Sequence, residues 1–150
     1  MVLWRISNYA DFNGIGGLKA SARWHTRGHR IVYLSSTPAS ALLEILVHLE
    51  IEKDQMPHSY KRLEIEVPGT VSLEKIEDWA TLPKGWPKKQ TVTRTLGDQW
   101  LDRSSSALLQ VPSALVPHTS NFLLNPLHKD AARILVISAS KHALDRRLLQ

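Results

Sequence analysis

The chain of 150 residues predicts a single α+β domain spanning residues 1–150. Three observations point there. Ile31-Val32-Tyr33-Leu34 is a short β-rich run, residues 60–67 alternate apolar and polar, and apolar residues recur at helical spacing between the two. Strand-like and helix-like segments are mixed along the chain without the strict alternation that builds a doubly wound parallel sheet. A chain of this length buries roughly 68–70% of its unfolded surface, so it needs no disulfide or metal to hold a core.

Residues 8–30 read as an irregular surface region, punctuated by Asn13-Gly14 and Gly16-Gly17. The strand at Ile31–Leu34 follows. Thr37 then Pro38 reads as an N-cap and first helical position. Ala41, Leu42, Ile45, Leu46 and Leu49 recur at helical spacing, which predicts a helix from Pro38 to Glu50. From Tyr60 to Val67, apolar Leu63, Ile65 and Val67 alternate with Arg62, Glu64 and Glu66, a half-buried strand that ends at Pro68-Gly69. Ser72–Trp79 reads as a short helix and Lys84–Lys89 as a loop. Thr91–Arg103 reads as a helix with Leu96, Trp100 and Leu101 on one side and Gly97 weakening it. Ser106–Val111 is a strand closed by Pro112, Asn121–Asn125 a turn of helix before Pro126, Arg133–Ser138 an apolar strand, and Leu144–Leu149 a short terminal helix.

Composition narrows the function classes. The chain is 43% hydrophobic and 22% charged, a globular mixture. No apolar run exceeds four residues, which argues against a spanning helix and a secretory leader. The absence of cysteine removes disulfides, thiol nucleophiles and thiolate-bound zinc, and fits a cytoplasmic home. Nineteen Lys and Arg against 14 Asp and Glu give a net charge of +5, which favours a phosphate-bearing or polyanionic partner. The basic residues are dispersed, with Lys61-Arg62, Lys88-Lys89 and Arg146-Arg147 as the adjacent pairs. No continuous stripe of the kind that tracks a nucleic-acid backbone is visible.

Familiar catalytic signatures are missing. Gly14-Ile15-Gly16-Gly17 follows no predicted strand and is no dinucleotide fingerprint, and there is neither a phosphate-binding loop nor a Gly-x-Ser-x-Gly elbow. The seven histidines lack metal-ligand spacing, so no metal site is expected. Residues around the strand–turn–helix unit carry the chemistry that is left. Glu44 borders the apolar stripe of the helix: either a boundary carboxylate with its head in water, or a negative charge held in a partly dry cleft. Tyr33 is either a packed sheet aromatic or a flat π face for a planar ring or cation. Arg23 beside Trp24, and Arg5 beside Trp4, are either surface cations on an aromatic neighbour or guanidinium forks for phosphate.

Together these residues resemble a known family, the RES-domain toxins of bacterial type II toxin–antitoxin systems. The resemblance runs through Trp4-Arg5-Ile6, Gly16-Gly17, Ser21-Ala22-Arg23-Trp24, Gly28, Ile31–Ser35 and Pro38-Ala39. It continues through Ala41–Leu49, Val111-Pro112-Ser113 and Asn121–His128. It implies an ADP-ribosyltransferase-like split, twisted β core with flanking helices around an NAD cleft. The activity it implies is cleavage of NAD+ at the nicotinamide–ribose bond, with NAD+ as substrate and no separate cofactor. It further implies a cognate DNA-binding antitoxin of the Xre type that covers the active site, and no membrane or direct nucleic-acid partner. On the matched positions, Glu44, Arg23 and Tyr33 are the implied catalytic residues, and Arg5, Ser113 and Asn125 join Arg23 and Tyr33 in holding NAD+. Arg23 and Arg5 would grip the diphosphate, Tyr33 stack near nicotinamide, and Glu44 stabilise the positive charge that develops on ribose. The family often carries Gly-Gly-Arg-Trp-Asn where this chain has Ser21-Ala22-Arg23-Trp24-His25. The acceptor stays open between water, phosphate and a protein side chain. A protein-modifying ADP-ribosyltransferase and a basic nucleic-acid-binding module are the alternatives.

Overall fold

A computed structural model describes residues 1–48, 57–76 and 82–149. Its elements are β1 (Val2–Ile6), α1 (Ile15–Lys19), β2 (Val32–Ser35), α2 (Pro38–His48), β3 (Ser59–Glu66), β4 (Leu73–Lys75), α3 (Gln90–Arg103), β5 (Leu108–Pro112), β6 (Ser120–Leu124) and β7 (Leu135–Ala143). Short 3-10 turns lie at Trp86–Lys88, Lys129–Arg133 and Arg146–Leu149. The described strands form one seven-stranded sheet in the order β4-β5-β6-β2-β1-β3-β7. Its pairs are antiparallel except β4 with β5. The α+β class predicted from the sequence is the class observed.

Local signals produced α2. Thr37 Oγ1 accepts from the Ser40 backbone N–H at 3.0 Å, the N-cap bond that the Thr-Pro pair predicts. The predicted last two positions of this helix, 49–50, fall outside the described residues. Four expectations change. β1 and α1 were not predicted: Val2–Ile6 is strand because it lies between two partners, β2 and β3, and Ile15–Lys19 makes one helical turn within the region read as irregular. Residues 121–124 are not a turn of helix but most of β6, paired with β2 on one side and β5 on the other. A short apolar run has no periodicity to separate the two states, and two neighbouring strands decide it. Residues 73–75 of the predicted helix at 72–79 pair in parallel with β5, and 77–79 lie outside the described residues.

The sheet divides two cores, as the period of two along each strand requires. Leu3, Val32, Leu34, Leu63, Ile65, Leu108, Phe122 and Leu124 pack on one side. Their sequence neighbours Leu109 and Leu123, with Val111, pack on the other against Trp24, Trp86, Trp100 and Leu101, with Tyr33 at the edge. Trp100, the largest side chain among the fully buried ones, donates its indole N–H to Ser106 Oγ at 2.8 Å, so its polar atom is satisfied inside the core.

Two features position the site. β1 and β2 pair at a single register position, Trp4 with Ser35. Continued antiparallel pairing would join Arg5 to Leu34 and Ile6 to Tyr33, but the strands part there and the sheet is forked. On the other core, α3 clamps the segment 22–26. Thr93 Oγ1 donates to the Arg23 carbonyl, Arg94 Nε to the Ala22 carbonyl at 2.7 Å, and the Thr26 N–H to Asp98 at 2.8 Å.

Candidate active site

A cleft of about 620 Å³ opens in the fork. Its floor comes from the diverging ends, Arg5 and Ile6 of β1 and Val32, Tyr33 and Leu34 of β2. One rim is the segment after β1, from Tyr9 to Lys19, and the other is α2 with Glu44, Ile45 and His48. This volume lies within the range of small-molecule and cofactor sites.

Glu44 supplies a carboxylate on the α2 side of the cleft, its side chain 27% exposed, with Asp11 on the opposite rim. One oxygen, Oε1, accepts from Asn121 Nδ2 at 2.8 Å and from Ser113 Oγ at 3.3 Å. The Ser113 oxygen also accepts the Leu115 and Val116 N–H groups at 3.1 and 3.2 Å, so its proton is left to face Glu44. The second carboxylate oxygen, Oε2, stands 3.8 Å from His48 Nε2, one helical turn on. A carboxylate held by two donors through one oxygen keeps the other, with its charge, for whatever enters the cleft.

Tyr33 crosses the floor. Its hydroxyl reaches the clamped segment, where it meets the Trp24 N–H at 3.1 Å and His25 Nδ1 at 2.8 Å. Burial pushes this phenol well above its ordinary range and keeps it protonated. Arg5 donates to the Asp11 carbonyl at 3.0 Å, which ties the rim loop to the floor. Burial lowers the pKa of this guanidinium and the Asp11 charge partly offsets that, leaving a cation in the cleft. The rim lies close to the 29–31 segment because Gly17 has no side chain: a Cβ there would stand 2.2 Å from the His29 carbonyl oxygen.

Of the residues singled out in the sequence, Arg5, Tyr33 and Glu44 line one cleft, and Ser113 reaches it through Glu44. Arg23 and Asn125 stand elsewhere. Arg23 donates to the Pro87 carbonyl at 2.6 Å and lies within electrostatic reach of the Tyr33 hydroxyl, so the shared two-arginine cavity reduces to Arg5. Asn125 is buried at the end of β6, donating to Ser104 Oγ at 3.2 Å and accepting the Leu127 N–H at 3.0 Å. Both of its side-chain groups are committed to the chain. Asn121 was missed. Read as a strand, the run Asn121-Phe122-Leu123-Leu124 would have put Asn121 on the same face as Leu123, toward Tyr33 and α2. Among the described residues, the buried Oδ1 of Asn121 has no hydrogen-bond partner.

The fold and cleft define a single-domain α+β protein with a carboxylate, a cation and an aromatic face converging in a forked sheet. The RES domain family profile matches residues 2–147, and the chain belongs to the RES-domain family. A relative in Pseudomonas putida named Toxin Res is 48% identical over 131 residues, which is 87% of this chain and 88% of the relative. A Sphingobium protein named Prs ADP-ribosylating toxin is 35% identical over 156 aligned positions, 98% of this chain and 96% of that protein. Among solved structures, the crystal structure of the M. tuberculosis MbcT–MbcA toxin–antitoxin complex has a similar fold. Its TM-score is 0.76 at 11% identity, covering 98% of this chain and 85% of that one.

Proposed function

We propose that this protein is the toxin of a toxin–antitoxin pair and that it breaks the nicotinamide–ribose bond of NAD+. The observation that carries this reading is the Glu44 carboxylate, fixed by Asn121 and Ser113, sharing a cleft with the Tyr33 ring and the Arg5 guanidinium. NAD+ presents complementary chemistry: a cationic planar base, a ribose between, and an anionic diphosphate. Arg5 contacts the diphosphate through its remaining N–H groups, a charge-assisted fork favoured further by the basic net charge. Tyr33 offers its face to the pyridinium.

Bond cleavage is then an electrostatic problem. The C–N bond electrons leave with nicotinamide, which becomes neutral, and positive charge develops on the ribose as in glycoside hydrolysis. Glu44 Oε2 stabilises that charge and orients the attacking water. The water forms the new C–O bond and passes one proton to Glu44 Oε2, from which it is lost to solvent, giving ADP-ribose. Nicotinamide departs without protonation, so no general acid and no metal enter the scheme. A protein antitoxin, in this family an Xre-type DNA-binding protein, silences the activity by covering the cleft. The name of the Sphingobium relative favours a second reading: the same bond is broken and a protein side chain replaces water as acceptor.

Incubating the purified protein with NAD+ alone separates the two. Hydrolysis predicts steady nicotinamide release with no protein acceptor present, and transfer predicts release only when a target is added. Glu44→Gln removes the charge but keeps the shape, and should lower turnover by roughly 10²–10³ with the melting temperature unchanged. Wild-type nicotinamide release by that variant overturns the assignment.

A further inference from the structure

We propose that His25 is a positioning residue for Tyr33, holding the ring against the cleft through a one-directional hydrogen-bond chain. This role rests on the reaction proposed above. His25 is 2% exposed and its ring lies 5.7 Å from that of Tyr33, tilted by 50°. The direction of every bond in the chain follows from its fixed ends. The Ala20 carbonyl, 2.9 Å from His25 Nε2, can only accept, so Nε2 carries the proton. Nδ1 is therefore the acceptor, and the Tyr33 hydroxyl 2.8 Å away donates to it. That hydroxyl oxygen in turn accepts the Trp24 N–H at 3.1 Å.

One tautomer satisfies the whole chain, and the charged form does not. Protonating Nδ1 would set an N–H against the tyrosine O–H and displace its proton from its only acceptor among these groups. Burial also lowers the His25 pKa, opposed first by the Ala20 and Gly17 carbonyls and then by Asp98, a net direction that favours the neutral ring. The Tyr33 hydroxyl thus commits its proton to His25 and one lone pair to the Trp24 N–H. Tyr33 lines the cleft with its ring held at an angle set by His25, which borders the same cleft.

The substitution set follows from side-chain geometry. Asparagine places Oδ1 where histidine has Nδ1, so His25→Asn keeps the acceptor for Tyr33, whereas His25→Leu fills the space and removes it. Nicotinamide release from NAD+ gives kcat and KM for both variants, for Tyr33→Phe, and for the double variants, each alongside its melting temperature. His25→Leu should lower kcat/KM by ten- to a hundredfold, the scale on which a misplaced contact acts, and His25→Asn should recover to within about threefold of wild type. Tyr33→Phe removes the handle that His25 holds, so adding either His25 change to it should cost nothing more. If His25→Leu unfolds, nitrogen-15 spectra of the wild-type protein carry the test in its place. Effects that multiply in the double variants overturn the proposal, as does His25→Asn failing like His25→Leu at equal melting temperature. Nitrogen-15 spectra of the wild-type histidines give a readout free of activity: the Nε2–H form of His25 supports the chain and the Nδ1–H form refutes it. A wild-type protein that releases no nicotinamide sinks the reaction and with it the role, while the spectra still judge the geometry.

Discussion

Replacing Gly97 by alanine would add a Cβ 1.6 Å from the Trp24 carbonyl oxygen and 2.8 Å from its carbon. Observed Cβ contacts essentially never fall below 3.0 Å, so helix and segment must separate by about 1.4 Å at that point. Gly97 sits between the residues that clamp 22–26: Thr93 and Arg94 before it, Asp98 after it. Bonds of 2.7 and 2.8 Å stretched by that amount pass 3.5 Å and are lost. One neutral hydrogen bond contributes about 0.5–1.5 kcal/mol and each charged one about 1.5–3. Alanine returns about 1 kcal/mol through helix propensity. The net cost is about 2.5–6.5 kcal/mol, which for a domain of this size lowers the melting temperature by at least about 5 °C. Because Trp24 and His25 anchor the Tyr33 hydroxyl, nicotinamide release should fall as well, even below the melting temperature. Thermal unfolding followed by circular dichroism measures the first effect, with Gly69→Ala as control, since nothing lies within 4 Å of a Cβ there. A Gly97→Ala protein that melts within about 2 °C of wild type refutes the clamp.

Two other perturbations test separate parts of the structure. Asn121→Ala removes the shorter of the two bonds to Glu44 Oε1 and should lower kcat by roughly tenfold or more with little change in stability, read as nicotinamide release beside a melting curve. Asp130 is a carboxylate held down to a pKa of about 2, first by the Ser72 hydroxyl, then by the Ser72 N–H and Arg133. Its folded pKa lies below the unfolded value of 3.8, so the stability it contributes is complete above about pH 4 and is lost as pH falls toward 2. Asp130→Asn should therefore destabilise the protein at neutral pH and flatten the acid limb of its unfolding free energy, measured by denaturant titration between pH 2 and 5. An unchanged acid limb contradicts the assignment.

Where structure followed local rules, it was legible from residues. The Thr37-Pro38 start and the apolar spacing after it define α2, and that spacing already put Glu44 at the border of the buried stripe. The alternation at 60–67 defines β3 by the same kind of reasoning, because one face of that strand meets a core. Where a state depends on partners distant in sequence, it was not. Nothing inside Val2–Ile6 requires a strand until β3 lies alongside it in register. Asn121-Phe122-Leu123-Leu124 is apolar enough for either state, and the wrong one concealed Asn121, whose bond to Glu44 spans 77 positions. The same limit explains Arg23 and Asn125. Their residue types suit a binding pocket, but a guanidinium and an amide serve backbone carbonyls and neighbouring hydroxyls equally well. Whether they face a ligand is decided by tertiary placement: Ser104 and Leu127 take both ends of the Asn125 amide, and Arg23 gives one guanidinium nitrogen to the Pro87 carbonyl outside the Glu44 cleft.

The fork itself bears on why a binding site stands at this point in the sheet. An unfinished ladder leaves backbone donors and acceptors of Arg5–Ile6 and Val32–Leu34 without each other, a costly arrangement in a dry interior. Chain segments recover part of that loss. The Ser7 N–H crosses to the Lys61 carbonyl at 3.1 Å, extending the β1–β3 side, and β2 completes its other edge with β6. The edges that face each other across the fork remain turned to the cleft, beside Glu44 on α2 and the buried Asn121 carbonyl oxygen. On the reading proposed above, the hydroxyl and amide groups of a dinucleotide would meet there the open strand ends and the unpartnered Asn121 Oδ1. Closing the fork would pair the strands and remove the cleft, so on that reading binding depends on the opening between β1 and β2.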